Sequence, residues 1–485
     1  MKDKLSIRLK LFNTETRFKE EIIPIRDNTI FLYTCGPTVY NFAHIGNFRT
    51  YVFEDLLRRS LKFFGMQVTQ AMNLTDIDDK TLKGAIEEGI SLKDYTTPYI
   101  EAFFEDIQTL KIEKVEFYPA ATDFIPQMIK LIEELIHNGI AYKAADGSIY
   151  YCIDKFPSYG RLSHLHLGEL KANASERLFK DEYEKENAAD FVLWKSYDPV
   201  RDGDIYWESP FGKGRPGWHI ECSAMAMSLL GENIDIHVGG VDNMFPHHEN
   251  EIAQSEGCTG KQFVRYWLHS EHLLVDHKKM SKSLGNFFTL RDLLKKGYTG
   301  TEVRYILLQT HYRTQLNFTM QGLDAVRKTL ERISDFIYRL REIKQDEEHG
   351  LVGKIVEESL DSFTKALADD LNISLALASL FELIRQVNIL CDEGKLGKKE
   401  AERVLDLLYK FDTVLAVLPL ETKEEGISHE LQALLEQREK ARLRKNWKSA
   451  DECRDAILSK GYVIEDTPQG ARLKKAAPKK AGIYD

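Results

Sequence analysis

Apolar side chains fall into short blocks along the first three hundred residues and into long seams after them. Ile30-Phe31-Leu32-Tyr33-Thr34 is a continuous apolar run of strand length, which predicts a buried strand. A Gly/Pro loop follows. From Phe48 onward the apolar positions are Val52, Phe53, Leu56, Leu57, Leu61 and Phe64, one face of a helix, with Gly65 placed to end it. Val68 to Leu74 reads as the next strand. This β-loop-α-β order predicts a parallel sheet whose loops gather at its C-terminal edge. A second α/β block starts near Asp204. Residues 217–230 read as a helix, and Ile234-Asp235-Ile236-His237-Val238 as a strand running into Gly239-Gly240. The stretch between the blocks, about 120–203, reads as an insertion with a charged segment at 180–186.

Beyond about residue 322 the period changes. Leu323, Val326, Leu330, Ile333, Ile337 and Leu340 are spaced by threes and fours, the seam of an amphipathic helix. Further helices are expected over about 359–391 and 398–418, with polar linkers at 344–354 and 421–426. A basic stretch, 438–448, leads into a small final unit and a Lys/Ala/Pro tail. The expected organisation is an α/β catalytic domain in two halves (1–120 and 204–265) separated by the insertion (121–203). A region carrying a lysine loop (266–321) follows, then a helical bundle (322–425) and a C-terminal unit (426–485).

Composition narrows the class only a little. At 485 residues the chain is long enough for several domains. No run approaches eighteen apolar residues, so no membrane span is expected. Met1-Lys2-Asp3-Lys4 is charged with no apolar core behind it, so the expected location is the cytoplasm. The net charge of −10 means that a nucleic-acid partner must be met by local basic patches. Six cysteines in so long a chain do not suggest a disulfide scaffold; they suit thiols kept for packing or metal. No self-complementary apolar seam stands out, so a monomer is expected.

Two motifs carry chemistry. His44-Ile45-Gly46-Asn47 sits where a strand turns into a helix, and backbone N–H groups and the helix dipole there favour phosphate. Gly46 allows close approach of a nucleotide; the plainer reading is a helix start capped by Asn47. Lys279-Met280-Ser281-Lys282-Ser283 is either a solvated charged loop or a mobile one that brings Lys279 and Lys282 to a triphosphate. In this order, the pair points to ATP-dependent activation of a carboxylate. Cys35, Cys222, His247 and Glu251 are candidate metal ligands, and the last two share a helical face. Spacing does not choose His247 over His248 or Glu251 over Glu249, and it leaves His219 and Cys222 as a rival pair. Trp218 reads as a core aromatic. His237, Gly239, Gly240 and Asp242 end a strand where a doubly wound sheet places a nucleotide. Thr75-Asp76-Ile77-Asp78-Asp79-Lys80 reads as a helix cap.

Taken together, the chain resembles the cysteinyl-tRNA synthetases, a class I aminoacyl-tRNA synthetase family, over nearly its whole length. The matching segments include 34–40, 44–47, 73–80, 214–225, 244–251 and 279–283, with Asp370-Leu371-Asn372 and Asp466-Thr467-Pro468. The resemblance implies a Rossmann-like catalytic domain with an insertion, followed by an α-helical C-terminal half that reads the anticodon. It implies one zinc at Cys35, Cys222, His247 and Glu251, binding the substrate thiolate. Gly36, Thr75, Trp218 and His237 would surround L-cysteine. His44, Gly46, Asn47, Gly239, Asp242, Lys279, Ser281 and Lys282 would meet Mg²⁺-bound ATP, with His44, Asn47, Lys279 and Lys282 acting on its phosphates. The acceptor would be tRNA(Cys).

Two departures mark this sequence. Asn47 stands where the family's motif has His, and it can donate a hydrogen bond but carry no charge. Gly470-Ala471-Arg472-Leu473 follows where the family often has a Trp-Arg pair. The nearest rival is a ligase joining cysteine to an aminosugar, which is expected to lack the C-terminal half. The other rivals are a zinc-stabilised RNA-binding protein and a generic nucleotide-binding protein.

Overall fold

The computed structural model describes residues 7–165, 190–281, 284–420, 429–467 and 470–475. Lys282, Ser283, the charged stretch 180–186, the linker 421–426, Pro468 and the Lys/Ala/Pro tail lie outside the described residues. The chain divides into two units, one of residues 1–293 and 299–418, the other of 294–298 and 419–485.

The first apolar run forms strand β1 (Thr29–Thr34), followed by helix α1 (Ile45–Phe63) and strand β2 (Gln67–Met72). The second block supplies helix α2 (Trp218–Leu230), strand β3 (Ile234–Gly240), helix α3 (Glu249–Thr259) and strand β4 (Val264–Ser270). The four strands form one parallel sheet in the order β4-β3-β1-β2. Ile30, Leu32, Ile236, Val238, Leu268 and Trp267 are fully buried in it, as strands covered on both faces require. The chain leaves β1 in one direction and β3 in the other. The central pair is therefore a switch point, and the loops after both strands open on one crevice.

The insertion builds an antiparallel sheet from Ala141–Lys143, Ile149–Tyr151, Phe191–Ser196 and Gly214–Pro216. Its last strand lies beyond the boundary expected at residue 203. After β4, Leu273–Val275 pairs with Leu316–Phe318 and with the short edge strand Lys278–Lys279, which starts the lysine loop.

The C-terminal helices of the first unit are α4 (Met320–Arg341), α5 (Val352–Ala368), α6 (Ile373–Asp392) and α7 (Lys398–Leu415). The single helix expected over 359–391 is in fact two. Asp370 and Leu371 take φ of +60° and +52°, a conformation no helix continues through. Tertiary bonds hold the break. The buried Asp370 carboxylate accepts from Phe12 N–H (2.8 Å), Tyr312 O–H (2.6 Å) and Arg313 Nε (2.8 Å). By length and composition α6 could cross a bilayer, yet its Ala376, Leu380, Leu383 and Val387 are buried within the protein. Missing from the periodicity is the N-terminal hairpin of Lys10–Asn13 and Phe18–Glu21.

The second unit packs helices His429–Leu443 and Trp447–Ser459 with the hairpin Tyr462–Thr467/Gly470–Lys475. Leu431, Ala450, Cys453 and Ile457 are buried there, while Arg444, Lys445 and Lys448 are exposed.

Within the first unit α1 is buried on more than its apolar face. Asp55 accepts from Arg304 Nη2 and Arg59 Nε (2.7 Å), and Arg304 Nε donates to the Leu415 carbonyl (2.8 Å). Burial pushes the Asp55 carboxyl up, but Arg304 and Arg59 outweigh it and hold the group below its ordinary value. Removing one partner of such a pair leaves an uncompensated buried charge. Arg304→Met is expected to cost about 3–5 kcal/mol, read as a lower urea midpoint by tryptophan fluorescence; an unchanged midpoint would show the pair to be dispensable.

Candidate active site

All four strands of the parallel sheet point their C-terminal ends at a cavity of about 750 Å³. Cys35 follows β1 directly, Asn73 and Thr75 follow β2, Gly240 ends β3 and Ser270 ends β4; all line it. Helix α1 begins on the same wall, and the lysine loop supplies Lys279, Met280 and Ser281.

At the floor, Cys35, Cys222, His247 and Glu251 present ligand atoms that lie within 4.8 Å of one another. Cys222 comes from α2, and His247 and Glu251 from the turn into α3. Glu251 is fully buried, with Oε2 3.0 Å from His237 Nε2 and Oε1 3.1 Å from His247 Nε2. Oε1 nevertheless has no hydrogen-bond partner. Hydrogen bonding to Cys35 and then burial push the Cys222 thiol well up. For Cys35 the bond to Cys222 pulls down, but burial and Glu251 leave the thiol raised. Burial, then His219 and His237, hold the His247 ring well below its ordinary value. Burial thus holds both thiols and the imidazole towards their neutral forms. Two thiols, a neutral imidazole and an orphaned carboxylate oxygen are a donor set that zinc accepts.

A second set, Cys35, His237, His248 and Glu251, is equally close. The wall separates them: Cys35, Cys222 and His247 line the cavity, whereas His237 and His248 are buried away from it. His248 is otherwise engaged. Its Nδ1 is 2.8 Å from His269 Nε2, and its Nε2 is 3.3 Å from Cys35 Sγ. His269 continues to Thr14 Oγ1 at 2.8 Å. No sequence spacing signals this chain of imidazoles. His219, the other candidate, puts Nδ1 2.8 Å from His247 Nδ1.

Trp218 is not a core residue. It is 42% exposed, lines the cavity and stacks on the His247 ring at 4.3 Å. Thr75 is buried at the wall, and Asn73 links it to Gly36: Gly36 N–H donates to Asn73 Oδ1 (3.0 Å) and Asn73 Nδ2 donates to Thr75 Oγ1 (3.0 Å). A Cβ on Gly36 would lie 1.8 Å from the Asn73 carbonyl oxygen, so only glycine permits this approach. His237, packed on Trp267 at 4.8 Å, bonds Glu251 instead of facing the cavity. Gly239 is buried off the wall, while Asp242 is on it, 3.4 Å from His272.

The cap of α1 is His44, not Asn47. His44 Nδ1 accepts from the Asn47 backbone N–H (3.1 Å), and Asn47 Oδ1 accepts from the His44 N–H (3.1 Å). This reciprocal pair satisfies two donors that a helix start leaves open. Burial holds the His44 ring below its ordinary value. Ile45 N–H donates to the Phe288 carbonyl (3.0 Å), tying the motif to the segment after the lysine loop. Within that loop Lys279 is exposed and Ser281 N–H donates to Asn286 Oδ1 (2.9 Å).

Residues 21–328 match the family described as tRNA synthetases class I (C) catalytic domain, 362–419 the DALR domain, and 424–472 the cysteinyl-tRNA ligase anticodon binding domain. A cysteine–tRNA ligase of Protochlamydia amoebophila is 63% identical over 470 residues, covering 97% of this chain and 98% of that one. The chain belongs to the cysteinyl-tRNA synthetase family. Its counterpart in Chlamydia muridarum is 57% identical over 477 residues, covering 96% and 99%. A Mycobacterium tuberculosis methionyl-tRNA synthetase in complex with methionyl-adenylate shares the fold at 12% identity, with a TM-score of 0.56 over 80% of this chain and 90% of that one. This family member is an aminoacyl-tRNA synthetase, a cysteine–tRNA ligase, with the class I catalytic fold and a helical C-terminal half.

Gly46 couples its two motifs. A Cβ there would lie 2.9 Å from the His44 ring and 3.2 Å from Met280 Cε. Gly46→Ala is therefore expected to push the His44 ring out of place, with the Met280 side chain giving way, and to slow ATP–pyrophosphate exchange on the order of 10²-fold, with the thermal midpoint little changed. Wild-type exchange in that variant would separate the two motifs.

Proposed function

We propose that this synthetase activates L-cysteine with Mg²⁺-bound ATP, transfers it to tRNA(Cys), and selects cysteine over serine through zinc held by Cys35, Cys222, His247 and Glu251. The observation that carries this reading is that three of those four residues open on the same cavity as His44, Asn47 and Lys279. Cysteine and serine are nearly isosteric, and an apolar pocket separates them poorly; a site built on a specific bond reaches discrimination of about 10⁴–10⁵. Bound there, zinc would supply a soft cation for which a thiolate is a far better ligand than a neutral hydroxyl. Trp218 on His247, and the Gly36–Asn73–Thr75 bonds beside Cys35, would frame the rest of the amino acid.

The phosphate side follows from the cap. His44 Nδ1 is engaged as an acceptor, so a neutral ring carries its proton on Nε2 and can donate it to a phosphate oxygen. Asn47 Oδ1 is engaged by the His44 N–H, which leaves the Asn47 amide as a donor. Lys279, with Lys282 beyond the described residues, would add charge as pyrophosphate leaves. The cysteine carboxylate attacks the α-phosphate, giving cysteinyl-adenylate and pyrophosphate. A hydroxyl of the terminal adenosine of tRNA then attacks the acyl carbon and AMP leaves. Positioning and charge account for catalysis, so no protein nucleophile is needed. The exposed basic residues Arg444, Lys445 and Lys448 are the surface offered to the anticodon stem. The reading includes a cytoplasmic monomer, whose mass in light scattering would not vary with concentration.

The test is ATP–pyrophosphate exchange with cysteine beside serine, with metal measured on the same sample. Exchange with cysteine alone at about one zinc per chain is expected; folded, zinc-loaded protein that gives none would sink the reading. Cys222→Ser is expected to lower both zinc content and cysteine activation by tenfold or more, on the order of a lost outer-shell partner or worse. Full retention of both would remove Cys222 from the site.

A further inference from the structure

The mouth of the cavity carries side chains that neither the metal cluster nor the phosphate motifs use. Phe42, two residues before His44, is 41% exposed and lines the cavity with Tyr40 and Lys80. Its ring meets Tyr99 edge-on at 5.5 Å, and Tyr99 meets Tyr95 at 5.6 Å. Tyr95 O–H donates to the Tyr40 carbonyl at 3.2 Å, which ties this row of rings to the loop ahead of His44. Space for the row is built in: a Cβ on Gly84 would lie 2.1 Å from the Tyr95 ring.

Two cations flank the shelf and differ in availability. Arg291 lies over Phe42 at 5.2 Å, but its Nη2 already donates to Glu105 (2.6 Å) and the Ala102 carbonyl (3.3 Å). It holds the ring and is not a free charge. Lys80 is exposed, 4.7 Å from the centre of the Tyr40 ring, and among the described residues no carboxylate pairs with it. Glu87 and Glu88 are within electrostatic reach of Tyr95, so an anionic backbone is favoured at the Lys80 end.

The exposed Phe42 ring, backed by the partly buried Tyr99 and Tyr95 rings and beside a lysine that no described carboxylate pairs with, suits flat bases joined by phosphates. Amino acid and ATP are accounted for deeper in the cavity. The reactant that must enter from outside as a single strand is the 3′ end of the acceptor. We propose that Phe42, Tyr99 and Tyr95 form a stacking shelf for the single-stranded 3′-terminal nucleotides of tRNA(Cys), with Lys80 taking one backbone phosphate. The shelf would aim the terminal ribose at the adenylate for the second step. This inference rests on the reading of tRNA(Cys) as acceptor.

The experiment is single-turnover transfer from enzyme-bound cysteinyl-adenylate to a tRNA(Cys) transcript, with exchange, which uses no tRNA, measured on the same protein. Phe42→Ala is expected to impair transfer about 5- to 150-fold more than exchange, and Phe42→Tyr, which keeps the ring, to restore it. Lys80→Gln is expected to reduce the log–log salt slope of transcript binding by about 0.7. Wild type and Phe42→Ala should bind a transcript lacking its last three nucleotides alike, because the shelf's contact is then already gone. Equal losses in transfer and exchange, or an equal affinity loss for full and truncated transcripts, would make Phe42 a packing residue and overturn the shelf. Failure of the wild type to charge tRNA(Cys) would instead overturn the acceptor reading on which the shelf rests.

Discussion

The fully buried Glu251 carboxylate is the constraint on which the floor of the site depends. An ion taken out of water costs several kcal/mol unless it is compensated, and here both oxygens face imidazoles, one without a hydrogen bond. Burial pushes the carboxyl up, with His237 pulling the other way. Cys35 and Cys222 are likewise held towards their neutral forms. A divalent cation at this point would relieve every one of these strains at once. It would favour both thiolates, pair the orphaned oxygen and use an imidazole already kept neutral. His237, stacked on Trp267, fixes the orientation of the carboxylate, in the manner of the outer partners that orient metal ligands.

The sheet explains why such donors meet the phosphate motifs. Because the chain departs from β1 and β3 in opposite directions, Cys35 and the residues after β3 emerge side by side. The start of α1 follows β1 after a loop of ten residues, 35–44. Packing then fixes α1 from below. Arg49 donates to the carbonyls of Leu307, Thr310 (2.8 Å) and His311 (2.8 Å), and Asp55 pairs with Arg304. His311 Nε2 in turn lies 2.8 Å from the Asp370 carbonyl at the break between α5 and α6. The helix carrying His44 and Asn47 is thus bonded to the base of the helical half by a continuous run of polar contacts.

Much of this was legible in the chain. The apolar run 30–34, the face from Val52 to Leu61 and the seam from Leu323 to Leu340 each match an element. The α5–α6 break was missed: Asp369-Asp370 and the Asn372 cap are only a weak local sign of it, and the bonds that hold it come from Phe12, Tyr312 and Arg313, far away in sequence. The cap of α1 was misread for a related reason. Asn is the commoner cap, but His44 with its Nδ1 acceptor fills that place and makes Asn47 the reciprocal partner. Trp218 read as core because aromatics usually are; its stacking on His247 depends on where two helices meet.

The sequence by itself determined the parallel sheet, its helices and the family, though not the N-terminal hairpin or the α5–α6 break, since periodicity is local and ordered motifs survive without coordinates. It also narrowed the donors to a few thiols, imidazoles and carboxylates. Only the tertiary structure decided which of them face the cavity. His247 and His248 are neighbours in sequence, yet one lines the wall under Trp218 and the other is buried between Cys35 and His269. That choice is set by how α2, α3 and the strand ends pack together, and packing joins residues whose separation along the chain carries no signal of their distance in space.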